Sequence, residues 1–127
     1  MLRRAEAIAL GVLLAGGGSA CKSGDVTMTE PPPTANVITI TAAGVSPKNL
    51  VVPRGSQIAF VNNDSRAHDM QSDPHPEHND CPAIGNAGYL RPGESRLTGN
   101  LNEARTCSFH DNQNEAVQSL RGTIVIQ

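Results

Sequence analysis

The sequence has no tryptophan, one tyrosine and two phenylalanines in 127 residues. So few aromatics leave no stacking platform for single-stranded nucleic acid. Charge is also scarce: 10 Lys and Arg against 12 Asp and Glu give a formal net charge of −2. A nucleic-acid binder needs a basic stripe, so that class is excluded. No apolar run approaches the roughly 18 residues that a membrane-spanning helix needs. Gly-x-Ser-x-Gly and His-Glu-x-x-His are absent, which argues against the hydrolases that carry them. Cys-x-x-Cys is absent too, so a dithiol redox protein is poorly supported. What is present fits one small domain. An apolar fraction of 38% can fill a core and argues against full disorder. Nine prolines and 12 glycines speak against a helical bundle and for short strands joined by turns.

Residues 1–20 read as an export signal. Arg3 and Arg4 supply the positive start, residues 8–15 the apolar stretch, and Gly18-Ser19-Ala20 the small residues before Cys21. A cysteine directly after Gly-Ser-Ala resembles a bacterial lipobox, which implies lipidation at Cys21, export, and anchoring to a membrane of the cell envelope. A plain secretory signal with an incidental cysteine is the other reading. Residues 21–36 mix Ser, Gly, Thr and Glu with Pro31, Pro32 and Pro33. A proline run is stiff and extended, so this segment reads as a tether holding a domain off a surface.

Residues 37–127 read as an all-β domain. Residues 37–41 (Val-Ile-Thr-Ile-Thr) alternate apolar and polar on β-branched side chains. Residues 50–52, 57–61, 88–90, 95–101, 105–109 and 122–126 are further short strand candidates, several ended by Pro-Gly or Asn-Asp turns. Residues 62–86 read as a single long loop. A loop that long in so small a domain is uncommon and usually functional. Strands at this spacing suggest a sandwich.

The chemistry concentrates in three segments. Asn62-Asn63-Asp64 is followed by His68 and Met70. Residues 73–82 hold His75, His78 and Cys81. Cys107 and His110 precede the last strand. All four histidines and both downstream cysteines fall in these segments. Imidazole with thiolate selects copper or zinc, and two histidines with one cysteine and a weak axial ligand make a blue-copper set. A solitary histidine would read as an ordinary surface or capping residue; clustering favours ligands. In an oxidising compartment, however, Cys81 and Cys107 are also candidates to pair as a disulfide. Asp73, Glu77 and Asp80 read as solvated loop acids, or less readily as an acidic docking rim.

These residues resemble the cupredoxins. Residues 51–64, then His68, are similar to that family's strand–turn–histidine stretch. Leu90-Arg91-Pro92-Gly93 is similar to a later turn. Cys107-x-x-His110 and the strand at 122–126 are similar to the C-terminal ligand loop and last strand. The resemblance implies a cupredoxin-like Greek-key β-sandwich of about 6–8 short strands, with His68, Cys107 and His110 as copper ligands. It implies a non-enzymatic, monomeric one-electron carrier that meets a redox partner protein. An axial methionine is missing after His110. Gln113 is a candidate weak axial oxygen, and Glu115 a harder one. Met70 is another axial candidate, though a core gap-filler is the preferred reading. Residues 75–81 depart from the simplest cupredoxins. His75, His78 and Cys81 are either a second metal set or part of a structural loop closed by a Cys81–Cys107 disulfide. That bridge would consume the thiolate and leave a sulfur-free copper or zinc site, or a purely structural domain.

Overall fold

A computed structural model describes residues 36–127. The expectations for residues 1–35, including the signal, Cys21 and most of the tether, lie outside the described residues. Nine strands form two sheets: β1 (Val37–Thr41), β2 (Gly44–Ser46), β3 (Asn49–Val52), β4 (Ala59–Asn62), β5 (His68–Ser72), β6 (Gly88–Leu90), β7 (Ser95–Leu97), β8 (Arg105–Asp111) and β9 (Gly122–Ile126). One sheet has the order β2-β1-β4-β7 and the other β3-β9-β8-β5-β6. β1 runs parallel to β4 and β3 parallel to β9; the other strand pairs are antiparallel. Among the described residues there is no α-helix, only short 3-10 turns at Pro82–Asn86 and Gln118–Leu120.

Alternation builds the core. On β1 it buries Ile38 and Ile40, and on β4 Phe60 and Asn62. On β8 it turns Cys107, Phe109 and Asp111 inward and Ser108 and His110 to the sheet's outer face. Phe60 and Phe109 meet edge to face across the two sheets, centroids 5.3 Å apart. Both rings are fully buried, which contributes about 2–3 kcal/mol each, with about 1 kcal/mol more from the aromatic pair.

The expected all-β sandwich is present, with nine strands rather than 6–8. The segment read as one loop over residues 62–86 contains β5. Its inward positions are His68, Met70 and Ser72, so no β-branched apolar alternation marks it in the sequence. The strand expected over 95–101 stops at Leu97, and Leu101 makes only an isolated bridge to Ser56.

Candidate metal centre

The turn between β4 and β5 is pinned by Asn62. Its Nδ2 donates to the carbonyls of Arg66 (2.8 Å) and Leu90 (3.1 Å), and its Oδ1 accepts the Asp64 N–H (2.9 Å). This aims Asp64 at His68. His68 Nε2 lies 2.9 Å from Asp64 Oδ2, and its Nδ1 lies 2.8 Å from Asp111 Oδ2. The hydrogen bond from His68 holds the Asp64 carboxyl below the usual carboxylate range; burial opposes this, while the Ser65 N–H and Arg66 add to it. Burial alone would raise Asp111. The Asp69 N–H, the Asn114 amide, His68 and the Gln113 N–H together hold it below its ordinary value. Both ring nitrogens of His68 are therefore engaged by carboxylates, and neither is open to a metal ion.

This corrects the expected ligand set. His68 is buried inside the sandwich and held by two carboxylates. Cys107 is not a thiolate: it forms a disulfide with Cys81, Cα atoms 5.9 Å apart. His110 faces the other side of the sheet from both. The physical reason is that β8 continues through His110 to Asp111. A three-residue spacing on a continuing strand puts its ends on opposite faces, whereas the expected ligand loop needs the strand to stop.

The structure instead brings His110 together with His75 and His78. Their ring centroids lie 5.1–5.7 Å apart, and one nitrogen from each falls within 4.8 Å of the others. His110 is rooted in β8 and fully buried, His78 is half-buried and His75 exposed. One nitrogen of each ring has an acceptor. His110 Nδ1 donates to Asp73 Oδ1 at 2.5 Å. His78 Nδ1 donates to the Ser72 carbonyl at 2.9 Å. His75 Nε2 meets Glu115 Oε2 at 2.7 Å. The remaining ring nitrogens are Nδ1 of His75 and Nε2 of His78 and His110. Outer acceptors of this kind fix tautomer and orientation in metal-binding histidines. Among the described residues, His110 Nε2 is buried with no hydrogen-bond partner, which is costly unless something occupies it.

The loop carrying His75 and His78 is held in place. His78 has a left-handed backbone, φ 53°, a conformation costing about 1–3 kcal/mol in a non-glycine residue. Its N–H donates to the Pro74 carbonyl at 2.7 Å. Three residues on, the disulfide staples the loop to β8 at Cys107.

The other candidates fall elsewhere. Met70 is fully buried in the core. Gln113 gives its N–H to Asp111 Oδ1 (3.0 Å) and has an exposed side chain. Glu115 contacts His75 rather than serving as an axial ligand to a sulfur-bound ion. Asp73, read as a solvated acid, holds His110, and Asp80 pairs with Arg105. Sequence reasoning also missed the roles of Asp64 and Asp111. Only the extension of β8 to Asp111 could have signalled them.

No protein-family pattern matches the chain, and no curated protein matches it. Solved structures do. A purple cupredoxin from Nitrosopumilus maritimus shares 19% identity over 73% of this chain and 100% of its own, with a TM-score of 0.59. A proline-to-glycine mutant of amicyanin in its oxidized state shares 19% over 77% and 87%, TM-score 0.57. Plastocyanin from Dryopteris crassirhizoma shares 14% over 72% and 99%, TM-score 0.56. The chain therefore has the cupredoxin fold. Within that fold it is a sandwich with an outer-face three-histidine cluster and a disulfide between the cluster's two supporting segments.

Proposed function

We propose that this chain is an exported, lipid-anchored copper-binding protein of cupredoxin fold, whose ion is held by His75, His78 and His110 without sulfur. Zinc is the weaker alternative. The observation that carries the reading is His110 Nε2, buried and without a partner among the described residues, on a ring grouped with two other imidazoles that each have one nitrogen on an acceptor. Imidazole nitrogen suits copper and zinc alike. The ion would supply a redox centre, and the role we assign is one-electron transfer to a partner protein rather than catalysis by an enzyme. A strand and a disulfide-stapled loop would keep the ligands in place as the oxidation state changes, which favours transfer. Cu(I) prefers soft sulfur ligands, so an all-nitrogen set should give a lower potential than a thiolate site. Attachment is assigned to Cys21, on the small residues Gly18-Ser19-Ala20 that precede it.

The test is titration with Cu(II), following visible absorption and electron paramagnetic resonance. One ion per chain is expected, with nitrogen hyperfine coupling and no intense thiolate-to-copper band. Binding should be lost in His78→Ala and His110→Ala. Unchanged binding in both variants would overturn the assignment.

A further inference from the structure

Beside the proposed metal centre, on the same outer face, lies a cleft of about 290 Å³. Ser108 and Thr123, cross-strand partners on β8 and β9, line it. Lys48 and Arg121 line it too. Both are anchored by backbone carbonyls: Lys48 Nζ donates to the Gln118 carbonyl at 2.8 Å, and Arg121 Nε to the Glu115 carbonyl at 3.0 Å. Among the described residues neither is paired with a carboxylate. The lining has one acid, Asp73, and its Oδ1 is already taken by His110. The Thr123 hydroxyl donates to Asn49 Oδ1, which leaves the Asn49 amide nitrogen as a spare donor. The cleft thus presents two anchored cations and further donors against one carboxylate, of which His110 holds one oxygen.

Gly122 explains why the cations can gather there. A Cβ at this position would lie 2.5 Å from the Lys48 carbonyl oxygen and 2.6 Å from the Phe109 ring. Only glycine lets the Lys48 backbone close onto β9, which brings Lys48 to the side of Arg121.

We propose that this cleft binds a small oxyanionic solute, carrying carboxylate or phosphate oxygens, next to the metal centre. Lys48 and Arg121 supply charge-assisted hydrogen bonds, Arg121 being suited to two-oxygen contact. Asn49 and Ser108 complete the donor set. The site does not depend on an ion at the histidines, so it goes beyond the metal reading and can fail separately from it.

The experiment uses the full chain stripped of metal, titrated with inorganic phosphate in one arm and succinate in the other, with amide chemical shifts followed by NMR. Saturable shifts are expected at Lys48, Asn49, Arg121 and Thr123, and the arm that binds more tightly names the oxyanion class. Lys48→Ala with Arg121→Gln should weaken binding by about a hundredfold, since each charge-assisted bond is worth about tenfold. Asn49→Asp, nearly isosteric, should also weaken it while the dispersed amide spectrum shows the fold intact. No saturable shift from either anion at millimolar concentration would overturn the proposal. So would undiminished binding in the folded double variant.

Discussion

His68 Nδ1 lies 2.8 Å from Asp111 Oδ2 inside the sandwich, while His110, one residue before Asp111, points out of the opposite face of the same sheet. One step along β8 separates a buried carboxylate–histidine cluster from the proposed metal centre. The first prediction separates the two roles. His68→Gln can donate from one nitrogen only, so one of the two carboxylates loses its partner. The melting temperature should fall by about 10 °C, the scale of one lost charge-assisted bond in a domain this size. Copper stoichiometry should stay at one. Loss of copper at an unchanged melting temperature would instead make His68 a ligand.

Asp64 gives this cluster a pH signature. Its folded pKa is depressed below the ordinary 3.8, chiefly by the bond from His68. A depressed carboxylate binds protons more weakly in the folded than in the unfolded state. Its stabilising contribution is therefore complete above the unfolded pKa and is lost as pH falls through the folded one. Urea unfolding of the native protein and of Asp64→Asn should show a gap that is constant from about pH 7 down to about 5 and closes below about pH 4. A gap that widened on acidification would contradict the assignment.

Much of the sandwich could be read from the chain because aliphatic alternation marks β1, β4 and β9. β5 could not: its buried face is His68, Met70 and Ser72, whose inward orientation depends on partners far away in sequence. The pairing of Asp111 with His68 spans 43 residues and that of Asp73 with His110 spans 37. Neither leaves a local pattern. The histidines and cysteines stand in three segments of the sequence; the structure brings the second and third together and leaves His68 inside the sandwich. Which histidines meet was decided by strand parity, and parity depends on where β8 ends.

The Cys81–Cys107 bridge joins the loop bearing His75 and His78 to the strand bearing His110. Replacing both cysteines by alanine removes the staple without leaving a lone thiol. Closing a loop with a sequence separation of 26 is worth about 3 kcal/mol. Chemical unfolding should register a loss near that size. Copper affinity should fall as well, because two of the three proposed ligands then sit on a less constrained loop. Unaltered affinity in the folded variant would show that the loop is positioned by its hydrogen bonds alone.

Gly44 tests the packing of β2 against the turn at Gln118–Leu120. Its φ is +119°, and a Cβ there would lie 2.2 Å from the Ser119 carbonyl oxygen. Gly44→Ala therefore meets both backbone strain and overpacking, together about 2–4 kcal/mol. Thermal unfolding should show the loss, with copper stoichiometry preserved in the fraction that folds. A change of under about 0.5 kcal/mol, the ordinary range for surface substitutions, would mean that the turn moves aside freely.

Asp73 and Glu115 both accept from cluster histidines, but their surroundings differ. The His110 side chain is fully buried, with Asp73 27% exposed, whereas His75 and Glu115 are 36% and 48% exposed. Water can replace Glu115 as an acceptor far more easily than it can replace Asp73. Asp73→Ala should therefore weaken copper binding by about 10–100-fold, the usual cost of losing such an outer partner. Asp73→Asn keeps an accepting oxygen and should recover part of that loss. Glu115→Gln should have a smaller effect than either. Competition titrations of Cu(II) against a chelator give the three affinities, and melting temperatures are read in parallel. If Asp73 merely supports the fold, its variants will melt earlier at unchanged affinity. If it fixes the His110 tautomer, affinity will fall in the order Glu115→Gln, Asp73→Asn, Asp73→Ala while the domain stays folded.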